Sequence, residues 1–119
     1  MNTIEESREI TKKICKALDD KKAIDIKVID ISGISDLADF FIMASADNSR
    51  MLNSLMDAVG RTCAENNVNE KSVEGNQNST WVLMDYEDII VHLFSKEDRV
   101  FYNLERIWQD GVQIPFEEL

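Results

Sequence analysis

The sequence predicts an α/β fold: one domain, a mixed β-sheet and flanking helices. Three observations carry that prediction. Residues 80–94 hold two apolar runs, 81–84 and 89–94, on either side of an acidic break, Asp85-Tyr86-Glu87-Asp88. Apolar runs of this length bounded by turn formers read as strands buried on both faces, joined here into a central hairpin. Three other segments repeat apolar residues at helical spacing. The order helix, strand, strand, helix, short strand, strand, strand, helix brings strands together both directly and across a helix, which suits a mixed sheet with helices packed on it.

In chain order, residues 3–21 form the first helix. Thr3 and Glu6 have the spacing of a capping box, and Ile10, Ile14, Ala17 and Leu18 mark its apolar face. Lys21 and Lys22 stand where cations favour the negative end of the helix dipole. In residues 24–31, Ile24, Ile26 and Val28 alternate with Asp25 and Lys27, the pattern of a half-buried strand. Gly33 breaks it, and a loop with Asp36 and Asp39 leads to a second apolar strand, 40–44. Residues 45–49 are small and polar and can cap a helix. Met51, Leu52, Leu55, Met56, Val59 and Cys63 then give that helix an apolar stripe to about residue 66.

Residues 66–80 are rich in Asn, Ser, Gln and Gly. Val73 is their one expected packed strand residue, and residues 75–78 resemble a hairpin tip. After the central hairpin, Ser95 caps a third helix with Val100, Phe101, Leu104, Ile107 and Trp108 on its apolar stripe. The tail 109–119, with Gly111 and Pro115, is expected to be mostly irregular.

Composition bounds the function. A chain of 119 residues with 44% hydrophobic residues fits a single globular domain, 1–119, with a core that needs no staples. No apolar run is long enough to span a membrane. The N-terminal residues lack the basic-then-apolar layout of a secretory signal, so the expected compartment is the cytoplasm. Cys15 and Cys63 lie on or beside apolar helix faces and read as reduced core thiols. Two distant cysteines with a single histidine argue against a zinc site. The net charge is −10, and residues 61–119 carry twelve acidic side chains against five basic ones. Between Ser72 and Ser95 there is no Lys or Arg, yet Glu74, Asp85, Glu87 and Asp88 are all present. A nucleic-acid binder neutralises phosphates with cations, so no direct nucleic-acid recognition is expected. A negative field favours encounter with a basic partner instead.

Four motifs together resemble the ribosomal silencing factor family, also called Iojap. They are Asp39-Phe40-Phe41-Ile42-Met43-Ala44-Ser45; Arg50 opening the next helix; Glu74-Gly75 shortly before the run from Trp81 to Phe94; and Arg99-Val100-Phe101-Tyr102-Asn103-Leu104-Glu105-Arg106-Ile107-Trp108. Two departures are visible. Ala46 follows Ser45, and Glu87 lies between Tyr86 and Asp88, each where the family usually has glycine. The resemblance implies a nucleotidyltransferase-like α/β fold. It also implies a non-enzymatic translation repressor that acts under nutrient limitation, binds the large ribosomal subunit through basic ribosomal protein number fourteen, and blocks subunit joining. Homodimers in isolation belong to the same implication, and neither a cofactor nor a metal does.

The candidate contact residues are Trp81, Asp85, Tyr86 and Asp88, extended by Asp36, Asp39, Tyr102 and Glu105. Each has a plainer reading. Trp81, on the parity of Leu83 and Asp85, also reads as a strand-end core residue. Tyr86 has less core to fill as a turn aromatic and is expected to face outward, and Trp and Tyr are the residue types that dominate interface energies. Asp85 and Asp88 otherwise read as a solvated turn, or as a metal-holding pair in a nucleotidyltransferase. Against that enzyme stand the missing glycine at Ser45-Ala46, where a phosphate cradle would lie, and the window without cations. Tyr102 and Glu105 share a helix face and otherwise read as core rim and surface charge. His92, in step with Ile90 and Phe94, reads as a hydrogen-bonded core histidine. A general acidic scaffold with another basic partner is the remaining alternative.

Overall fold

A computed structural model describes residues 4–33, 36, 38–75, 81–95 and 112–114. Among these, two helices and six strands follow one another: α1 (Ile4–Asp20), β1 (Ile24–Asp30), β2 (Phe40–Ala46), α2 (Ser49–Glu65), β3 (Ser72–Glu74), β4 (Trp81–Asp85), β5 (Ile89–Ser95) and β6 (Val112–Ile114). The helix expected after Ser95, with Tyr102 and Glu105, lies outside the described residues, as does the capping residue Thr3.

The expected α/β architecture forms. The strands make one mixed sheet in the order β3-β4-β5-β2-β1-β6. β2 and β5 pair in parallel, Phe40 opposite Ile89 through Ala46 opposite Ser95, and the other pairs are antiparallel. Because side chains alternate across a strand, this register sorts them into two faces. One face gathers Val28, Phe40, Ile42, Ala44, Val82, Met84, Val91 and Leu93. Ile14, Cys15 and Leu18 of α1 and Leu52, Leu55, Val59 and Cys63 of α2 pack on it. The second face holds Ile29, Phe41, Met43 and Ile90 in a smaller cluster of its own, to which neither described helix contributes.

Helix ends follow local chemistry. Asn48 caps α2, its side chain accepting from the Met51 N–H at 2.8 Å, as the polar stretch 45–49 led one to expect. Both helices end with two backbone bonds around a left-handed residue. After α1, Ala23 N–H donates to Leu18 O and Lys22 N–H to Asp19 O, with Lys22 at φ 62°. After α2, Val68 N–H donates to Cys63 O and Asn67 N–H to Ala64 O, with Asn67 at φ 59°.

Four expectations need correction. β2 runs through Ser45 and Ala46, which are buried in the sheet rather than part of a polar connection. That connection begins only at Asp47. β4 is not buried on both faces: Val82 and Met84 are buried, but Trp81, Leu83 and Asp85 are only half-buried. The tail is not irregular throughout, because Val112–Ile114 adds an edge strand to β1 and buries Ile114 in the main core. Lys21 and Lys22 lie beyond the last turn of α1, which carries no basic residue.

Candidate partner-binding surface

The connection between β4 and β5 is built from its own polar atoms. Asp85 Oδ1 accepts from the Glu87 N–H at 2.8 Å, closing an Asx turn. The Tyr86 N–H donates to Ile89 O at 2.9 Å, and the Asp88 N–H donates to Tyr86 O at 2.9 Å. Glu87 takes φ 74°, a left-handed conformation that glycine adopts at no steric cost. The departure at position 87 therefore puts a β-carbon where the backbone least favours one. Position 46 differs: Ala46 has no positive φ and sits in a regular strand, where alanine fits.

The parallel pairing of β2 with β5 joins this turn to the loop before β2. The Asp88 carbonyl accepts from the Asp39 N–H at 2.8 Å and from the Phe40 N–H at 3.2 Å. Asp39, Asp85 and Asp88 thus converge at one end of the sheet, all half-buried. Asp36 is exposed in the preceding loop. Asp30, opposite Phe40, already uses its carboxylate on the Ser32 N–H and hydroxyl, at 3.0 and 2.6 Å.

Trp81 stands at the other end of β4, on the same face as Leu83 and Asp85. Its indole Nε1–H donates to Nδ1 of His92 at 3.1 Å. The His92 ring lies 4.4 Å from that of Phe41 and 5.9 Å from that of Phe94, with Trp81 5.8 Å away, all at low interplanar angles. His92 is 6% exposed, and burial lowers its pKa from 6.5 to about 4. A neutral ring with an accepting Nδ1 carries its proton on Nε2. The reading of His92 as a hydrogen-bonded core residue holds.

Tyr86 is the correction among the candidates. It is 5% exposed and belongs to the main core, with its hydroxyl buried beside the Cys63 thiol and short of a well-formed hydrogen bond. The physical reason is parity. Tyr86 continues the inward series Val82, Met84: its N–H still bonds across to Ile89 O, so the strand alternation carries one residue past the end of β4. Burial raises the pKa of the Tyr86 phenol and lifts the Cys63 thiol to about 11 and the Cys15 thiol to about 12.

The predicted site therefore divides. The structure brings Asp39, Asp85 and Asp88 together, sets Trp81 apart at the far end of the same face, and turns Tyr86 inward. Gly75, at the start of the expected hairpin tip, is tightly constrained. It has φ 98°, and a β-carbon there would lie 2.6 Å from the Trp81 carbonyl oxygen. Among the described residues, no group of three or more His, Cys, Asp or Glu side chains is placed to hold a metal ion. None of the described helices is long and apolar enough to cross a membrane.

The family profile described as "Ribosomal silencing factor during starvation" matches residues 4–119. The chain belongs to the ribosomal silencing factor family. Its relatives include a protein named ribosomal silencing factor RsfS from Halalkalibacterium halodurans, 32% identical over 93% of this chain and 95% of that protein. One of the same name from Bacillus subtilis is 36% identical over 87% of this chain and 88% of that protein. A crystal structure of a Chromobacterium violaceum protein superposes with TM-score 0.82 at 32% identity, covering 91% of this chain and 88% of that one. Membership in the silencing factor family fits a regulatory association with the ribosome.

Proposed function

We propose that this protein binds the large ribosomal subunit through a basic ribosomal protein, number fourteen, and represses translation by occupying the surface that the small subunit must reach. The mechanism needs no chemistry: a folded body on the joining surface excludes its competitor. The observation that carries the reading is the convergence of Asp39, Asp85 and Asp88 at one end of the sheet, held by the Asp88 carbonyl bridge, in a chain of net charge −10. Carboxylates grouped on an acidic body steer a cationic surface into register and speed its encounter. Trp81 supplies aromatic area on the same face and Asp36 further charge, and Tyr102 and Glu105, outside the described residues, are the other contacts expected from the sequence. Tyr86, enclosed in the core, supports the turn from beneath. The cytoplasm is the compartment and a homodimer the resting form in isolation.

The test is reassociation of purified subunits. Saturating protein should hold the two subunits apart and cosediment with large subunits alone. Unchanged joining at saturation would refute the proposal.

A further inference from the structure

We propose that His92 is a positioning residue for partner binding: through its ring nitrogen it fixes the indole of Trp81 on the sheet face. The inference rests on the function proposed above and names a residue that does not itself meet the partner.

The register carries the first part of the argument. Trp81 lies opposite Phe94 and Leu83 opposite His92, so the indole reaches diagonally along β5 to meet the imidazole. Aromatic side chains of this length span such diagonals. The single N–H of the indole is then spent on Nδ1 at 3.1 Å. His92 has little freedom to follow a moving partner, because Phe41 packs 4.4 Å from its ring on one strand and Phe94 lies 5.9 Å away on its own. Phe41 and Phe94 are themselves 3% and 1% exposed. A half-buried tryptophan is thereby tied to a fully packed ring.

The second part concerns binding. Immobilising a free side chain at an interface costs about 0.5–1.5 kcal/mol, and a side chain already held has met that cost before the partner arrives. A large aromatic with one fixed face is the type of residue that dominates interface energies. His92 is thus a determinant of affinity although it is buried. The position needs an acceptor at Nδ1 and a flat ring between Phe41 and Phe94, and histidine in its neutral form supplies both.

The experiment uses the full chain and isolated large subunits, with a double-mutant cycle between positions 92 and 81. His92→Phe keeps a flat ring and removes the acceptor. His92→Asn loses the ring and keeps an oxygen near the Nδ1 position. Trp81→Phe removes the donor. Cosedimentation affinity should fall roughly tenfold in His92→Phe and in Trp81→Phe, no further in the double variant, and recover in part in His92→Asn. The Trp81 indole N–H, assigned in NMR spectra by its loss in Trp81→Phe, should exchange slowly in the wild type and fast in His92→Phe. Should His92→Phe fail to fold, judged by circular dichroism, His92→Asn and Trp81→Phe still decide the matter. A His92→Phe variant that folds, frees the indole N–H and binds as wild type overturns the inference while leaving the proposed function intact. So do additive losses in the cycle. If wild-type protein does not bind large subunits, the function falls and the inference with it.

Discussion

His92 shows what burial does to one titratable group. Folding lowers its pKa from 6.5 to about 4, so between those values the unfolded chain binds more protons than the folded one. Stability must then rise with pH through that window. The histidine's contribution is fully present above pH 6.5 and lost as pH falls toward 4, on the order of 3 kcal/mol at full extent. Urea midpoints measured from pH 7 to pH 4 should fall more steeply in wild type than in His92→Asn, whose side chain does not titrate. Glu87 makes the opposite kind of case, a residue at odds with its backbone. With φ 74°, Glu87→Gly should raise stability by about 0.5–1 kcal/mol, read as a higher urea midpoint at unchanged slope. The two thiols show burial acting on reactivity. With pKa values raised to about 12 and 11, Cys15 and Cys63 should be nearly inert to thiol reagents at pH 8 in the native protein and fully reactive in denaturant.

Elements inherit these constraints through their ends. β3 and β4 meet where Gly75 lets the chain pass close to the Trp81 carbonyl, and no side chain fits that gap. Gly75→Ala should therefore cost on the order of 2 kcal/mol in urea unfolding, because both the positive φ and the contact with backbone resist it. Both described helices end in left-handed residues, and of the two only α2 places there a residue, Asn67, that suits the position well. α1 uses Lys22, whose β-carbon the left-handed region disfavours. The extents of α1 and α2 were legible in the sequence because a stripe such as Leu52, Leu55, Val59 and Cys63 reports burial at a period fixed by local geometry. Strand β6 was not legible. Three residues between a glycine and a proline carry no period, and only the edge of β1 gives them a partner.

At the scale of the molecule, the sheet order decides which residues act together. If the acidic end of the sheet meets a basic partner, reversing one of its charges should be felt first in the rate of encounter. Asp88→Lys should weaken association with isolated large subunits about tenfold, mostly through a slower on-rate, and added salt should narrow the gap to wild type. Much of this surface could be read from the chain. The acidic break, the window without cations, the single histidine among apolar residues and the strand–strand–helix order are all local patterns, and the α/β class follows from them because burial periodicity is set within each element. Pairing is not local. The parallel docking of β5 against β2 put the Asp88 carbonyl on the Asp39 and Phe40 amides, and the register of β4 on β5 put an indole N–H on an imidazole. The inward turn of Tyr86 depended on how far strand alternation persists into a turn. Residues distant in sequence meet only when the backbone ladder is satisfied in one register, and that choice belongs to the whole sheet.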